Sequence, residues 1–150
     1  MISPLSLAPD DWLGLVFRLF FSLLLGGIVG WERELRNKPA GFRTHMLVSF
    51  GAALFVIVPI VLGITKDGDS IARVIQGVAS GVGFLGAGEI VRSSGSESDG
   101  IRVRGLTSAA AIWASAALGV TAGCGLWQLG LIGALFCFVI LRVLKKFEFN

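Results

Sequence analysis

The sequence predicts an all-α, polytopic membrane bundle of five transmembrane helices, and three observations carry that prediction. Hydrophobic residues fill 54% of the 150 positions and charged residues only 15%, with a mean hydropathy of +0.80, far from the balance of a water-soluble domain. Two stretches lack fixed charge: 22 residues between Arg43 and Lys66, and 37 between Arg104 and Arg142. A helix crossing ~30 Å of hydrocarbon needs about 20 such residues. Finally, ten of the 13 Lys and Arg residues fall in three clusters that five crossings place on one side.

The first span is expected over residues 12–31. It follows Asp10 and Asp11 instead of the basic start of a secretory signal, so it is expected to be retained. The second is expected over 44–64 and the third over 72–91. The 37-residue run would reach about 55 Å as one helix, and Gly123-Cys124-Gly125 lies near its middle. It therefore divides into spans at 105–122 and 126–144, joined by a tight turn. Arg33, Arg36, Lys38 and Arg43 follow the first span; Arg92, Arg102 and Arg104 follow the third; Arg142, Lys145 and Lys146 close the chain. The positive-inside rule then puts the N-terminus outside and the C-terminus inside, with the whole of 1–150 as one transmembrane domain.

Polar residues within the spans are few. Arg18 is expected to snorkel to the outer headgroups, and Arg73 and Gln76 to mark the outer end of the third helix. Glu89, near the inner end of that helix, needs water, a cation or a basic partner, and Arg92 three residues on lies on nearly the same face. His45, the one histidine, reads as an interfacial residue. Cys124 and Cys137 lack metal-ligand or redox spacing and read as small apolar residues. No nucleophile–base constellation, metal cluster or phosphate loop is visible, so an enzyme is not expected.

The 21 glycines concentrate in or beside the spans. Gly26 and Gly30, Gly77 and Gly81, and Gly119 and Gly123 share the four-residue spacing that lets helices approach closely. Gly83, Gly86 and Gly88 extend the third helix's small-residue face, a density that also suits local unwinding toward a cavity. The same small faces suit a homodimer. An internal parallel links Gly30-Trp31-Glu32-Arg33 and Thr44 with Gly88-Glu89, Arg92 and Thr107. In both, a threonine is expected to cap the next helix beside arginines. Arg33, Arg43, Thr44, Arg92, Arg104 and Thr107 thus form a candidate site for an anion or acidic partner, or contact anionic lipid. Glu32, Glu34 and Glu89 form a candidate cation site.

The stretch GGIVGWERELRNKPAGFRTH, from Gly26 to His45, resembles the first signature of the MgtC/SapB membrane protein family. GVGFLGAG at Gly81 to Gly88, then VRGLTSAA at Val103 to Ala110, Trp113 and AALG ending at Gly119, resembles the second. The resemblance carries Glu32, Arg33, Gly41, Arg43 and Thr44 over as motif residues of the first signature. Gly83, Gly86, Gly88, Arg104, Gly105 and Thr107 come over from the second. It implies a multi-pass protein of the bacterial inner membrane linked to growth at low magnesium, acid stress and survival inside macrophages. For the best-known members it implies inhibition of the membrane ATP synthase.

This sequence departs from virulence-associated members at Thr107, where they carry Asn, and at Ala114, where they carry Cys. Glu89 stands where a small or apolar residue is usual, the loop Ser93 to Gly100 is long, and, with six residues following Leu144, a short form without the cytoplasmic C-terminal domain of longer members is expected. The expected function is a regulatory module of magnesium and acid-stress homeostasis. It would act through contacts with lipid, a second copy and a membrane protein such as ATP synthase, without nucleic acid and with no cofactor beyond a candidate Mg2+. The alternative is a small Mg2+ transporter or channel using Glu89 and the glycine-rich third helix. Against it stands the shortage of intramembrane carboxylates to serve as oxygen ligands.

Overall fold

The computed structural model describes residue 7 and residues 10–65, 69–93 and 104–143, the side chains of 92 and 93 excepted. Five helices and no strand occur among them: α1 (Trp12–Leu35), α2 (Phe42–Val61), α3 (Asp69–Ser93), α4 (Leu106–Gly123) and α5 (Trp127–Arg142). The first four are long and apolar enough to cross a membrane, and α5 is a shorter apolar helix of 16 residues, about 24 Å long. Large apolar side chains such as Leu13, Phe55, Phe84 and Phe136 point outward. That is the pattern of a bundle whose solvent is lipid, where helices satisfy their own backbone groups.

The helix ends are locally encoded. Asp11 caps α1, its carboxylate accepting from Gly14 N–H at 2.9 Å. Helices α1, α2 and α4 each end with one residue at positive φ: Asn37 (51°), Gly63 (68°) and Gly125 (73°). In each, the next amide bonds back five residues, from Lys38 to Arg33, from Ile64 to Pro59 and from Leu126 to Thr121. These are Schellman stops, for which glycine and asparagine are suited because they tolerate the left-handed region. The last of them makes the turn expected at Gly123-Cys124-Gly125.

The core is the trio α1, α2 and α4, with α4 parallel to α2 and antiparallel to α1. Small residues let the backbones meet. A Cβ on Gly26 would lie 2.8 Å from Ser49 Cβ, one on Gly30 2.8 Å from Phe42 Cα, and one on Gly123 2.9 Å from the Ala53 carbonyl oxygen. Leu25, Val29, Ala111, Leu118, Ala122 and Ala134 fill the remaining interior. Helix α5 packs on α1 and α4 through Gly130, and Trp127 sits edge-on to Phe17 and Phe21. Helix α3 lies outside the trio, against α4 and one edge of α2.

Two expectations about α3 change. It runs as one continuous helix from Asp69 to Ser93, without unwinding at its glycines. Moreover, a Cβ on Gly77, Gly81, Gly83 or Gly88 would meet nothing within 4 Å, whereas one on Gly86 would make ordinary contact with Ala109. The glycines of α3, apart from Gly86, are therefore not packing residues within this chain. Helix α1 also runs four residues past the expected end at Trp31, because Glu32 and Arg33 are enclosed by neighbouring helices and do not mark a water boundary.

Candidate functional site: a buried polar seam

Polar side chains line the contact between α1, α2 and α4 from one end of the bundle to the other. At the end holding the α4–α5 turn, Arg18 is 4% exposed and its Nη1 donates to the Gly123 carbonyl at 2.7 Å. The guanidinium thus satisfies a carbonyl that the end of α4 leaves without a helical partner. This corrects the expectation that Arg18 snorkels to the headgroups: one turn of burial is offset by a charge-assisted hydrogen bond inside the protein.

One turn further in, Ser22 Oγ donates to the Leu19 carbonyl, and Ser49 Oγ donates across to the Ser22 carbonyl, both at 2.7 Å. Next comes His45. It is fully buried, with Nδ1 2.8 Å from Ser115 Oγ on α4, so the interfacial reading of His45 is also corrected. The ring fits because Gly30 and Gly26 of α1 leave room for it; a Cβ on Gly30 would come 3.1 Å from His45 Cβ.

At the opposite, basic end, Arg33 Nη2 donates to Ser108 Oγ of α4 at 2.5 Å. Arg33 is only 3% exposed and Glu32 is fully enclosed. Arg36, one turn on, forms an ion pair with Glu32 and reaches the Arg142 carbonyl at 3.4 Å. Glu89 on α3 is 8% exposed, and its charge, like that of Glu32, acts on the Arg33 guanidinium. Glu89 is therefore turned into the bundle while most of α3 faces outward.

The structure regroups the residues singled out from sequence. The grouping of Glu32, Glu34 and Glu89 as one cation site is not what forms: Glu34 is exposed, and its carboxylate accepts from Phe42 N–H at 2.9 Å, capping α2. Neither Thr44 nor Thr107 is the cap; the N-cap positions are Gly41 and Gly105. Arg43, Thr44, Arg104 and Thr107 are exposed around the basic end, while Arg33 is inside. The Arg92 side chain lies outside the described residues. What assembles is a mixed cluster of Glu32, Arg33, Arg36 and Glu89 in which Arg33 leans on Ser108. Among the described residues, no group of three or more His, Cys, Asp or Glu could hold a metal ion.

Sequence reasoning passed over Ser22, Ser49, Ser108 and Ser115. The signal available was register: His45 and Ser49 are four apart, and Ser108 and Ser115 seven apart, so each pair shares a helix face.

A family model described as the MgtC family matches residues 19–149. Protein SrpB of Synechococcus elongatus is 48% identical over 151 aligned positions, covering 95% of this chain and 81% of that protein. The putative magnesium transporter YhiD of Escherichia coli K12 is 38% identical, covering 90% of this chain and 62% of YhiD. Protein MgtC of Brucella abortus is 41% identical, covering 83% of this chain and 48% of its own length. The chain thus spans under two thirds of YhiD and about half of the Brucella protein. No solved structure matches it.

Proposed function

The chain belongs to the MgtC family of multi-pass bacterial membrane proteins, and from that premise we propose that it serves magnesium homeostasis as a regulatory module acting by contact with another membrane protein. The link to magnesium is supported by the name of its relative YhiD. The mode of action rests on one observation. Helix α3 covers the core by one face only and leaves an apolar groove of about 620 Å³ against α2, lined by Gly51, Phe55, Val74, Gly77, Gly81 and Leu85. A Cβ on Gly51, Gly77 or Gly81 would meet nothing, so a partner helix can bring its backbone close there. Membrane ATP synthase is the partner the family resemblance suggests.

A second reading, cation transport, is favoured by the inward turn of Glu89. In that reading the carboxylate exchanges Arg33 for a passing cation. Its weakness is chemical: among the described residues the buried acids Glu32 and Glu89 already have an arginine each, Arg36 and Arg33, and Mg2+ gives up its water only for several oxygen ligands.

The test is growth of a deletion strain at low magnesium, complemented by wild-type protein, Gly81→Leu or Glu89→Gln, alongside magnesium flux into proteoliposomes. Regulation by contact predicts loss of growth support with Gly81→Leu at normal membrane abundance, and no flux. Saturable flux that Glu89→Gln abolishes would replace this reading with transport.

A further inference from the structure

Two hollows away from the α2–α3 groove meet at one side chain. A groove of about 430 Å³ runs along α1 against Met46 of α2 and Phe138 of α5. A cavity of about 560 Å³ lies at the basic end of the bundle between Leu35, Arg36, Phe138, Arg142 and Val143. Phe138 lines both. On α1 the lining is also continuous, because Phe20, Leu24, Ile28, Trp31 and Leu35 follow at three- or four-residue steps on one helix face. From Phe20 to Trp31 the groove is about 16 Å long, half of the ~30 Å of hydrocarbon. That is the depth of one leaflet.

The chemistry changes along this path. The groove is lined by apolar side chains and glycine alone, while the cavity holds two guanidinium groups. Arg142 lies over the Phe138 ring, its guanidinium carbon 5.8 Å from the ring centroid, and among the described residues no carboxylate forms an ion pair with it. Arg36 pairs with Glu32 and reaches the Arg142 carbonyl at 3.4 Å, covering an acceptor at the end of α5 that would otherwise oppose an anion. Trp31, 59% exposed and edge-on to Phe42, stands between the two regions. Tryptophan favours that depth, where acyl chains give way to headgroups.

We propose that this groove and cavity together bind one anionic phospholipid, its phosphate on Arg142 and Arg36 and an acyl chain along α1 beside Phe138. The phosphate oxygens give Arg142 charge-assisted acceptors. A zwitterionic lipid brings the same phosphate with a cation attached, which two arginines disfavour. A lipid chain suits the groove better than a partner helix does, since helices pack on small residues. Here Phe20, Leu24 and Trp31 stand outward at the rim, and a Cβ on Gly27 would already lie 3.3 Å from the Phe42 ring. A flexible chain passes between large side chains that hold a helix off. The site shares no residue with the α2–α3 groove, so it stands or falls apart from regulation by contact.

The test is native mass spectrometry of the whole chain, released from nanodiscs of phosphatidylglycerol and phosphatidylcholine in equal amounts. One phosphatidylglycerol should stay bound per chain, favoured over phosphatidylcholine by about ten-fold, the worth of one charge-assisted hydrogen bond. Arg142→Gln should abolish that preference. Lys38→Gln makes the same charge change at an exposed position outside the cavity and should keep it. Leu24→Trp, which fills the groove, should lower retention of both lipids alike. Equal retention of the two lipids by the wild-type chain overturns the proposal, and needs no variant to fold. So does a preference that survives Arg142→Gln. Displacement of the lipid by excess inorganic phosphate would leave an anion site without a lipid, and release of a lipid-free dimer would assign the groove to a second copy.

Discussion

Nδ1 of His45 and the hydroxyl of Ser115 lie 2.8 Å apart and join α2 to α4 at a level where both residues have no exposed surface. Neither can turn to water. Replacing Ser115 by Ala removes a small group yet leaves a fully buried imidazole nitrogen without its partner, which should cost about 1–3 kcal/mol. Thermal unfolding in detergent would measure it, with His45→Leu as comparison. The double variant should lose less than the sum of the two, because once the ring is gone the hydroxyl has little left to satisfy.

The glycines of α4 and α3 predict opposite outcomes from the same substitution. A Cβ on Gly119 would be driven into the Ser49 carbonyl, whose carbon would lie only 2.7 Å away. Gly119→Ala must therefore push α2 and α4 apart, at about 1–3 kcal/mol or more for overpacking. Gly77→Ala adds a methyl to open space and improves helix propensity, a gain of up to ~1 kcal/mol where nothing else changes. Unfolding temperatures of the two proteins, expressed side by side, should move in opposite directions.

That contrast also marks what the sequence could tell. The four-residue glycine spacing is the same in α1, α3 and α4, and it says only that a face is small. Which neighbour presses on it depends on the order of packing: α1, α2 and α4 converge, and α3 is left on the outside. Helix number and type were legible because run length and the glycine turn at Gly125 are local properties. The seam was not. A serine in an apolar helix commonly bonds its own preceding turn, as Ser22 does with Leu19, and nothing local tells it from Ser49 or Ser115, which reach across. Charges misled in one respect. Glu32, Arg33 and Arg18 read as markers of the membrane boundary, but their pairing with Arg36, Ser108 and Gly123 carries them inside.

Arg18 should be an anchor for the end of α4. Its guanidinium is the partner of the Gly123 carbonyl, and Arg18→Met keeps the apolar stem while deleting the donor. Hydrogen bonds from charged groups contribute about 1.5–3 kcal/mol, and a loss of that size is expected on unfolding. A residue that merely snorkels would lose almost nothing. Arg18→Lys tests geometry: an ammonium on a shorter reach should recover only part of the stability.

The cap on α2 links two residues eight positions apart. Glu34 accepts from Phe42 N–H, and the Gly41 α-carbon lies so close to that carboxylate that a Cβ would collide with it. Glu34→Ala removes the cap directly, and Gly41→Ala removes it by pushing the carboxylate aside, so each should cost about 1 kcal/mol, the usual worth of an N-cap. Because both act on one hydrogen bond, their effects should not add: the double variant should be destabilised about as much as either single one, giving a coupling near 1 kcal/mol in a double-mutant cycle. Full additivity would mean that Gly41 is required for its backbone conformation and not for the room it leaves. The observed φ of −99° at Gly41 is open to any residue, which is why the room is the better explanation.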